Sequence, residues 1–561
     1  MLRPLPFAAL FAGLFPAVTS AQIPTALLRE GDTVSVGGQS QTVQQIRQTT
    51  ASACAGFACS VRSSGPLGTV DLAWGALTGG APGVLRAEST VSGLQQLDFN
   101  AFFELSGSGV GYSARSRDVV TGQIGIRGAW LDGDVIARTG TPALGGRFWA
   151  DVDEVGTTLD GRRWFRGRMS DAPGGPVTRR GLFVEDDFGV IQAVVLTGMT
   201  LPDLPAPLTG GGVQPTSRFS SLRGRWISPV NVQLTAGNDG AMTTDGRGLL
   251  LGGSLVQESV PIPGSVGGIG DRWDDFTWCG INEAGDWFFC GDTSNTSGAQ
   301  NEYLCRNDGI WLREGDAVSG GNLRGGVIAA GINASSEVAY VWDVEAPGGE
   351  IAETLFLEDR VVARVGDAID WDGDGALDPT DTIDRFLQGT LSVASSGDLF
   401  VAAVVDRSGN AVDAYLRFPR ELGERYCAAN ANFSGGPGSI SAHGSPFASA
   451  NDLTLRCASL PQLSFGFFLV SRDAGFAANP GGSAGNLCLG GAIGRFQQAI
   501  QNSGSAAVIE LQVDLTALPQ PNGTAAVVSG DTWRFSTWFR DRDPMGNPTS
   551  NFSDAVAVTF R

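Results

Sequence analysis

Short apolar runs separated by polar turns fill almost the whole chain. In Asn282-Glu-Ala-Gly-Asp-Trp-Phe-Phe289 a polar turn precedes an apolar and aromatic run, and residues 333–340 and 394–401 repeat this arrangement. Gly and Asn accept the left-handed backbone conformation that tight hairpin turns require. Short apolar runs bounded by such turns are typical of β-strands. The pattern therefore predicts an all-β protein.

One segment recurs along the chain at a nearly constant interval. Leu28-Arg-Glu-Gly-Asp-Thr-Val-Ser35 and Leu312-Arg-Glu-Gly-Asp-Ala-Val-Ser319 agree at seven of eight positions. Weaker versions place the glycine, or the residue aligned with it, at positions 31, 88, 140, 198, 258, 315 and 366. The intervals of 51 to 60 residues predict seven units. Each unit is long enough for four short strands, which is the content of one β-propeller blade.

The two ends of this region carry complementary halves of one hairpin. Residues 26–31 are a recurring segment with no strand before it, and residues 413–418 are the strand that normally precedes such a segment. Pairing of the two ends would close a ring and remove two exposed strand edges. We therefore expect a seven-bladed β-propeller over residues 22–420, with an open β-solenoid as the alternative.

The repeat pattern stops after Arg420. Residues 421–561 contain alternating runs such as Leu463-Ser-Phe-Gly-Phe-Phe-Leu-Val470 and Trp533-Arg-Phe-Ser-Thr-Trp-Phe539, separated by turns rich in Gly, Pro and Asn. This arrangement is typical of an antiparallel β-sandwich. We expect a separate C-terminal sandwich module.

The first 21 residues predict export. Residues 1–21 combine Arg3, an apolar run and the small residues Thr19-Ser20-Ala21, which is the pattern of a cleaved signal peptide. The later chain has no apolar stretch of membrane-spanning length. We expect a secreted, extracellular or cell-surface protein, with the periplasm as the alternative location.

The recurring segment carries a resemblance. Together with the Asn282-x-x-Gly285 turn and its trailing Phe288-Phe289, it resembles the tandem repeat named for Asn-x-x-Gly-x-x-Ala-Phe in exported bacterial proteins of unknown function. Phe288, Ser336 and Ala394 depart from that motif. The segments at 426–427, 486–491 and 551–560 resemble a module that recurs at the C-terminus of large secreted bacterial proteins. The resemblance implies an extracellular β-rich scaffold and no particular activity.

Charge restricts the partners. The chain has 58 acidic and 38 basic residues, all of the basic ones arginine, and a net charge of −20. Such a field repels nucleic acids and anionic membrane surfaces and attracts cations. The sequence therefore predicts no nucleic-acid partner. Polysaccharides and cell-surface components remain as partners, and the oligomeric state is left open.

Eight cysteines in an exported chain indicate disulfides. Cys54 and Cys59 are close enough in sequence to close a small loop. The other six fall into two groups of three, at 279, 290 and 305 and at 427, 457 and 488. A group of three cannot pair internally, so either a bridge joins the two regions or two thiols stay free.

An acidic loop is the strongest candidate site. Asp370-Trp-Asp-Gly-Asp-Gly-Ala-Leu-Asp-Pro-Thr-Asp381 reproduces the calcium-loop pattern, with Asp in place of the final bidentate Glu. Gly375 stands at the sharp turn. We expect a structural calcium ion there, and the predicted ligands are Asp370, Asp372, Asp374, Asp378, Asp381 and the backbone carbonyl of Ala376.

Catalytic candidates are weaker. His443 is the only histidine, so any Ser/His/Asp mechanism would have to use it, and its position in Ser441-Ala-His-Gly-Ser445 predicts a surface turn. Carboxylate pairs for glycoside cleavage could come from residues 151–154, 185–187 or 271–275. The last cluster has Trp273, Phe276 and Trp278 nearby, which could stack on a sugar ring.

Three functions follow from these observations. The leading hypothesis is a non-enzymatic binding or scaffold protein at the outside of the cell, with a structural calcium loop. The first alternative is a carbohydrate-active hydrolase or lyase that uses acidic residues on a propeller face. The second alternative is a structural component of the cell envelope.

Overall fold

The computed structural model describes residues 24–561 except for short segments. The segments left out are 52–55, 78–80, 92–93, 107–108, 132–133, 158–161, 187, 214–217, 220–225, 235–236, 245–246, 252, 264–270, 283, 295–299, 308, 374–376 and 544. The predicted signal peptide and Cys54 lie outside the described residues. The all-β prediction is confirmed. The helical elements of the described chain are four 3₁₀ turns, at Leu144–Gly146, Ala448–Ala450, Pro480–Gly482 and Gln497–Ala499.

The strands between residues 25 and 418 form seven sheets of four to six strands and one two-stranded sheet in the described part of the chain. The first strand, β1 (Thr25–Arg29), belongs to sheet 7. Sheet 1 consists of β2 (Thr33–Val36), β3 (Gln39–Ala51), β4 (Phe57–Gly65), β5 (Gly68–Ala76) and β6 (Gly83–Ala87). Sheet 2 consists of β7 (Thr90–Val91), β8 (Leu94–Ser106), β9 (Gly109–Asp118), β10 (Ile124–Leu131) and β11 (Asp134–Arg138). Sheet 3 consists of β12 (Phe148–Thr157), β13 (Arg163–Ser170), β14 (Val177–Glu185) and β15 (Ile191–Leu196).

The next sheets continue this order. Sheet 4 consists of β16 (Leu208–Val213), β17 (Arg218–Phe219), β18 (Trp226–Leu234), β19 (Gly237–Thr244) and β20 (Arg247–Gly248), and the small sheet beside it of β21 (Leu250–Leu251) and β22 (Ser254–Leu255). Sheet 5 consists of β23 (Trp273–Ile281), β24 (Trp287–Thr293), β25 (Glu302–Arg306) and β26 (Gly309–Arg313). Sheet 6 consists of β27 (Ala317–Val318), β28 (Gly321–Ile332), β29 (Val338–Glu345), β30 (Ile351–Leu357) and β31 (Arg360–Arg364). Sheet 7 consists of β32 (Ala368–Ile369), β33 (Asp378–Phe386), β34 (Ser392–Val393), β35 (Leu399–Arg407), β36 (Asn410–Phe418) and β1.

Both faces of these sheets are apolar because neighbouring side chains on a strand point to opposite sides. In sheet 5, Phe289 packs in the core shared with sheet 4, and its neighbour Phe288 packs in the core shared with sheet 6. The other cores are likewise shared by consecutive sheets. Phe400 and Tyr415 of sheet 7 close the cycle, since they pack in one core with Val43 of sheet 1.

The predicted pairing between the two ends of the repeat region is confirmed. β1 is antiparallel to β36, with Ala26 opposite Leu416 and Arg29 opposite Ala414. The N-terminal strand therefore completes the sheet formed by the last strands of the repeat region. This pairing distinguishes the propeller-like ring from an open solenoid. The blade count of seven stays a prediction, because sheet 4 is broken into short strands with a two-stranded sheet beside it.

The recurring segments make equivalent backbone contacts. In each, the residue before the conserved turn position donates its amide to a carbonyl of the preceding sheet, in the pairs Glu30–Asp413, Glu88–Asp71, Thr139–Arg127, Thr197–Arg180, Glu258–Gly240, Glu314–Glu302 and Val365–Glu353. The turn residue itself has a positive φ of 90° at Gly31 and Gly315, which explains the glycine. Ser259 takes φ 65° at this position, and Glu88 donates the amide equivalent to that of Glu30. The equivalents of this glycine are therefore residues 89 and 259, and the predicted positions 88 and 258 are each wrong by one residue.

The C-terminal region is a β-sandwich. Its strands are β37 (Glu424–Tyr426), β38 (Ser439–Gly444), β39 (Leu453–Ala458), β40 (Phe465–Ser471), β41 (Asp473–Ala478), β42 (Asn486–Gly490), β43 (Gly494–Arg495), β44 (Gln501–Asn502), β45 (Ile509–Val513), β46 (Leu518–Gln520), β47 (Gly523–Ala525), β48 (Thr532–Arg542) and β49 (Pro548–Thr559). β37, β40, β43, β44, β48 and β49 form sheet 8, and β38, β39 and β45 form sheet 9. One core joins them, with Trp533 and Phe535 from sheet 8 against Leu455 and Ile509 from sheet 9. The boundary predicted at 420/421 falls between β36 and β37.

Candidate functional site

The structure brings three of the predicted calcium ligands together. Asp370, Asp372 and Asp378 each place one carboxylate oxygen within 4.8 Å of the others. Asp370 is 2% exposed, whereas Asp372 lies at the surface. Asp374 and Ala376 lie outside the described residues.

Local hydrogen bonds orient two of these carboxylates. Asp370 Oδ1 accepts from the amide of Gly373 at 2.7 Å, and Asp378 Oδ2 accepts from the amide of Trp371 at 2.8 Å. The converging donor set consists only of oxygen atoms, which is the ligand chemistry that calcium prefers. Carboxylates this close repel one another, and a bound cation would relieve that repulsion. The residues present therefore fit a calcium ion.

Asp381 lies apart from this group. It is buried on β33 and accepts a hydrogen bond from Arg407 Nε at 3.3 Å. The strand β33 begins at Asp378, so the chain is already extended and paired three residues before Asp381. Its role as the twelfth-position ligand stays a prediction.

The acidic loop touches the strand that closes the ring. Ala26 donates its amide to the carbonyl of Asp370 at 3.1 Å, and Asp370 donates to the carbonyl of Pro24 at 2.8 Å. The ring of Trp371 lies beneath two guanidinium groups, with Arg29 at 5.3 Å and Arg407 at 4.5 Å from its centroid. Cation–π contacts of this kind stabilise partly buried sites by about 0.5–2 kcal/mol. Loop and N-terminal strand are thus one packed unit.

A second set of carboxylates crosses sheet 5. Asp275 on β23 pairs with Asp292 on β24, which pairs with Glu302 on β25, and Glu314 donates its amide to the carbonyl of Glu302 at 2.9 Å. We call these four residues the acidic row. Burial, together with the charges of Asp292, Glu314 and Asp275, raises the pKa of Glu302 to about 7. Burial and the nearby Asp274 and Asp275 also raise the pKa of Asp292.

Only one end of the acidic row is marked in the sequence, by the cluster at residues 271–275. Asp292, Glu302 and Glu314 were not predicted. Glu314 belongs to the recurring segment Leu312-Arg-Glu-Gly-Asp, so an alignment of the units by strand register was the signal that could have found the row.

The aromatic residues near residues 271–275 do not form a sugar platform. Trp273 is buried, and both it and Phe276 pack in the core between sheets 4 and 5. Asp271 is buried as well, and its Oδ2 accepts from Arg313 Nη2 at 2.5 Å. The expectation that Trp273 and Phe276 stack on a sugar ring is wrong, because the bulge between Trp273 and Asp275 turns both side chains to the core face of β23. Trp278 packs, partly buried, against the core between sheets 5 and 6.

The other two carboxylate clusters have structural partners. Asp151 lies between Arg127 at 3.6 Å and Arg168 at 3.5 Å. The hydrogen bonds of Arg163 hold the pKa of Glu185 below its usual range. Asp186 accepts the backbone amides of a tight turn. The side chains of Asp153, Glu154 and Asp187 lie outside the described part.

His443 is buried and does not lie in a surface turn. It is on strand β38, is 7% exposed, and faces the junction between the propeller region and the sandwich. Its Nε2 is 2.8 Å from Ser441 Oγ, and its Nδ1 is 3.2 Å from the carbonyl of Arg420. Burial lowers the pKa of His443 to about 4. Ser441 is buried too, so this Ser–His pair is part of the packing at the junction.

The cysteines form one disulfide among the described residues. Cys427 is bonded to Cys488, which joins the start of the sandwich module to β42. Cys59, Cys279, Cys290, Cys305 and Cys457 are buried thiols. Burial raises the pKa of the thiols at 59, 290, 305 and 457, which makes them poor nucleophiles. No helix of the described chain has the length and apolarity needed to cross a membrane.

Comparisons with known proteins give distant structural likenesses. No protein-family model and no curated protein matches the chain. A gluconolactonase from Xanthomonas campestris has a TM-score of 0.21 and 12% identity, covering 72% of this chain and 99% of its own. An exo-inulinase from Aspergillus awamori has a TM-score of 0.19 and 10% identity, covering 73% and 93%. A tetra-tandem repeat from the extending region of a large adhesion protein has a TM-score of 0.12 and 13% identity, covering 96% and 99%. Scores this low carry no argument about activity.

Proposed function

We propose that this chain is an exported β-propeller protein that presents a binding surface outside the cell and is stabilised by a structural calcium ion. The observation that carries the proposal is the convergence of Asp370, Asp372 and Asp378 in a loop that pairs with the N-terminal strand. A calcium ion held there would fix the segment on which closure of the ring depends. Its contribution would be rigidity, since oxygen-rich loops with several carboxylates suit structural calcium.

Export is supported by two separate features. Residues 1–21 have the signal-peptide pattern, and the Cys427–Cys488 disulfide fits an oxidising compartment. The net charge of −20 favours uncharged polymers over nucleic acids as partners. We therefore propose polysaccharides or other cell-surface components as the partners of the ring.

Calcium is expected to raise the melting temperature of the mature protein, and Asp372→Ala/Asp374→Ala should abolish that rise. A ligand that binds only the folded state at 100 times its Kd adds about 2.7 kcal/mol to the free energy of unfolding. Differential scanning calorimetry in calcium and in EDTA measures the effect.

The matched control is Asp359→Ala/Asp384→Ala, which removes two acidic groups from elsewhere in sheets 6 and 7. Asp359 lies in an exposed turn, and Asp384 pairs with its neighbour Arg385. This control should keep the full calcium response. A response that survives Asp372→Ala/Asp374→Ala would place the calcium elsewhere, and no response in the unaltered protein would contradict the proposal.

A carbohydrate-active hydrolase is the second candidate function. The observation that favours it is the acidic row, where Glu302 has a pKa raised to about 7. A carboxylic acid with a pKa near neutrality beside ionised carboxylates is the arrangement that glycoside cleavage uses.

A glycan array with the mature protein, in calcium and in EDTA, separates the two functions. The leading function predicts retention of a polysaccharide without release of reducing ends. Release of reducing ends that Glu302→Gln abolishes and Asp274→Asn leaves intact would establish the hydrolase instead. If no glycan is retained or cleaved in either condition, polysaccharide is not the partner.

A further inference from the structure

The acidic row has a structural equivalent in the other propeller sheets. The equivalent positions are defined by strand register and by the amide that each recurring segment donates to the preceding sheet. The equivalent rows contain Arg62, Asp71 and Glu88 in sheet 1, Arg115 and Arg127 in sheet 2, Asp151, Arg168 and Arg180 in sheet 3, Arg324, Asp343 and Glu353 in sheet 6, and Arg385, Asp413 and Glu30 in sheet 7. Sheet 4 has Gly240 at the third-strand position.

The rows of sheets 1, 2, 3, 6 and 7 each contain an arginine. The acidic row of sheet 5 contains none, and the row of sheet 4 has Gly240 and the single acid Glu258 with no arginine among its described residues. The difference matters because side chains directly opposite on neighbouring strands are about 5 Å apart, where like charges destabilise a sheet. In sheet 1 the negative charge of Asp71 is compensated by arginines of the same sheet. Asp71 accepts a hydrogen bond from Arg62 Nε at 2.8 Å and another from Arg47 Nη1 at 3.1 Å. Sheet 5 has four carboxyl groups in the same arrangement and no ion pair to any of them among the described residues.

Two buried oxygen atoms in the row have no hydrogen-bond donor. Glu314 is 4% exposed, and its Oε2 is unpartnered although its Oε1 accepts from the amide of Gly325 at 2.9 Å. Oδ1 of Asp292 is buried without a partner as well. A buried carboxylate oxygen left without any partner costs about 1–3 kcal/mol or more. The two unpartnered oxygens are an observation separate from the number of acidic residues. They point to a positively charged group that binds between the carboxylates of the row.

The strand that faces the row packs directly against it and offers it no positive charge. β28 has a bulge between Arg324 and Val327, and this bulge contains Gly325 and Gly326. A Cβ at Gly326 would lie 2.9 Å from Glu302 Oε2, so any other residue would press on that carboxylate. Arg324, at the edge of the bulge, forms its ion pair with Glu345 and leaves the row uncompensated.

We propose that the acidic row binds a divalent cation of the calcium type. This site is separate from the loop of residues 370–378. Among the described residues only Asp370, Asp372 and Asp378 bring three carboxylate oxygens within 4.8 Å, so a cation in the row has fewer than three converging carboxylates and completes its coordination with water. Sites with few protein ligands and retained water are weak, and we expect a Kd on the order of 10⁻⁴–10⁻³ M, as in extracellular modules.

Terbium luminescence with the mature protein tests the proposal. Trp342 Nε1 donates to the carbonyl of Gly325 at 2.5 Å, so an ion in the row lies close to an indole that can sensitise it. The unaltered protein should show two classes of terbium site, both displaced by calcium. Asp372→Ala/Asp374→Ala should remove one class, and Glu302→Gln/Glu314→Gln should remove the other.

The matched control is Asp343→Asn/Glu353→Gln, the same change of charge in the equivalent row of sheet 6, which has Arg324 at its first position and two carboxylates instead of four. This control should keep both classes. A single class that disappears with the loop variant overturns the proposal, as does a second class that survives Glu302→Gln/Glu314→Gln. Circular dichroism checks that each variant folds, and Glu302→Gln alone, at a half-buried position, replaces the double variant if that one does not fold.

Discussion

Replacing Asp271 with alanine is expected to lower the free energy of unfolding by about 3–5 kcal/mol, because it leaves the guanidinium of Arg313 buried without its counter-charge. The two side chains are only 1% and 8% exposed. Arg313 also donates to the carbonyl of Gln300 and to Thr293 Oγ1, so it cannot turn outward without losing further hydrogen bonds. Chemical denaturation followed by tryptophan fluorescence measures the loss.

The control for this variant is Asp274→Ala, which removes an exposed carboxylate three residues away and should change stability by less than about 0.5 kcal/mol. One oxygen of Asp271 and one nitrogen of Arg313 lack partners even in the intact pair. The double variant Asp271→Leu/Arg313→Met should therefore be more stable than Asp271→Ala alone. If the double variant is the less stable of the two, the ion pair itself is net stabilising and the explanation by an orphaned charge is wrong.

The comparison of Arg313 with Arg29 shows how far the recurring segment could be interpreted from sequence. In both copies the Asp of Leu-Arg-Glu-Gly-Asp accepts the backbone amide of the Arg, through Asp316 and Asp32. That local turn follows from the motif alone. The partner of the Arg313 side chain cannot be predicted from the motif. Asp271 lies next to a strand that begins 40 residues before Arg313 in the chain.

The strand pattern predicted more of the fold than of the sites. The complementary half-hairpins at the two ends of the repeat region were enough to predict that β1 pairs with β36. Phe288 and Phe289 lie on opposite faces of β24, as neighbouring residues of a strand do. The acidic row could not be predicted in this way, because each of its four residues comes from a different strand or turn of sheet 5. Their spacing along the chain depends on turn lengths, so no contiguous motif marks them.

His443 was misplaced for a related reason. The neighbouring Gly444 and Ser445 favour a turn, but Ile440 and Ala442 alternate with polar residues and pack in the sandwich core. Ser441 and His443 therefore point to the other face of β38. That face is buried against the end of the propeller region, which a sequence without known domain contacts cannot predict.

Between pH 6.5 and pH 4 the protein is expected to lose about 3 kcal/mol of stability through His443 alone. Burial lowers the pKa of this imidazole from 6.5 to about 4 in the folded protein, with Asp398 opposing the shift and Arg456 and Arg417 adding to it. In this interval the unfolded chain binds a proton at His443 that the folded chain does not bind. The contribution of His443 to the free energy of unfolding is therefore fully present above pH 6.5, and it is lost as the pH decreases towards 4.

The variant His443→Asn isolates this contribution, since the amide can still donate to the carbonyl of Arg420 but does not titrate. Denaturation midpoints at half-unit steps from pH 4 to 7 should fall less steeply with decreasing pH in this variant than in the unaltered protein. Asp554 and Glu302, whose pKa values are raised to about 6 and about 7, act in the opposite direction, because their stabilisation is lost as the pH rises. They contribute equally to both proteins, so the difference between the two curves reports His443. Parallel curves would mean that the imidazole is as accessible to protons in the folded junction as in the unfolded chain.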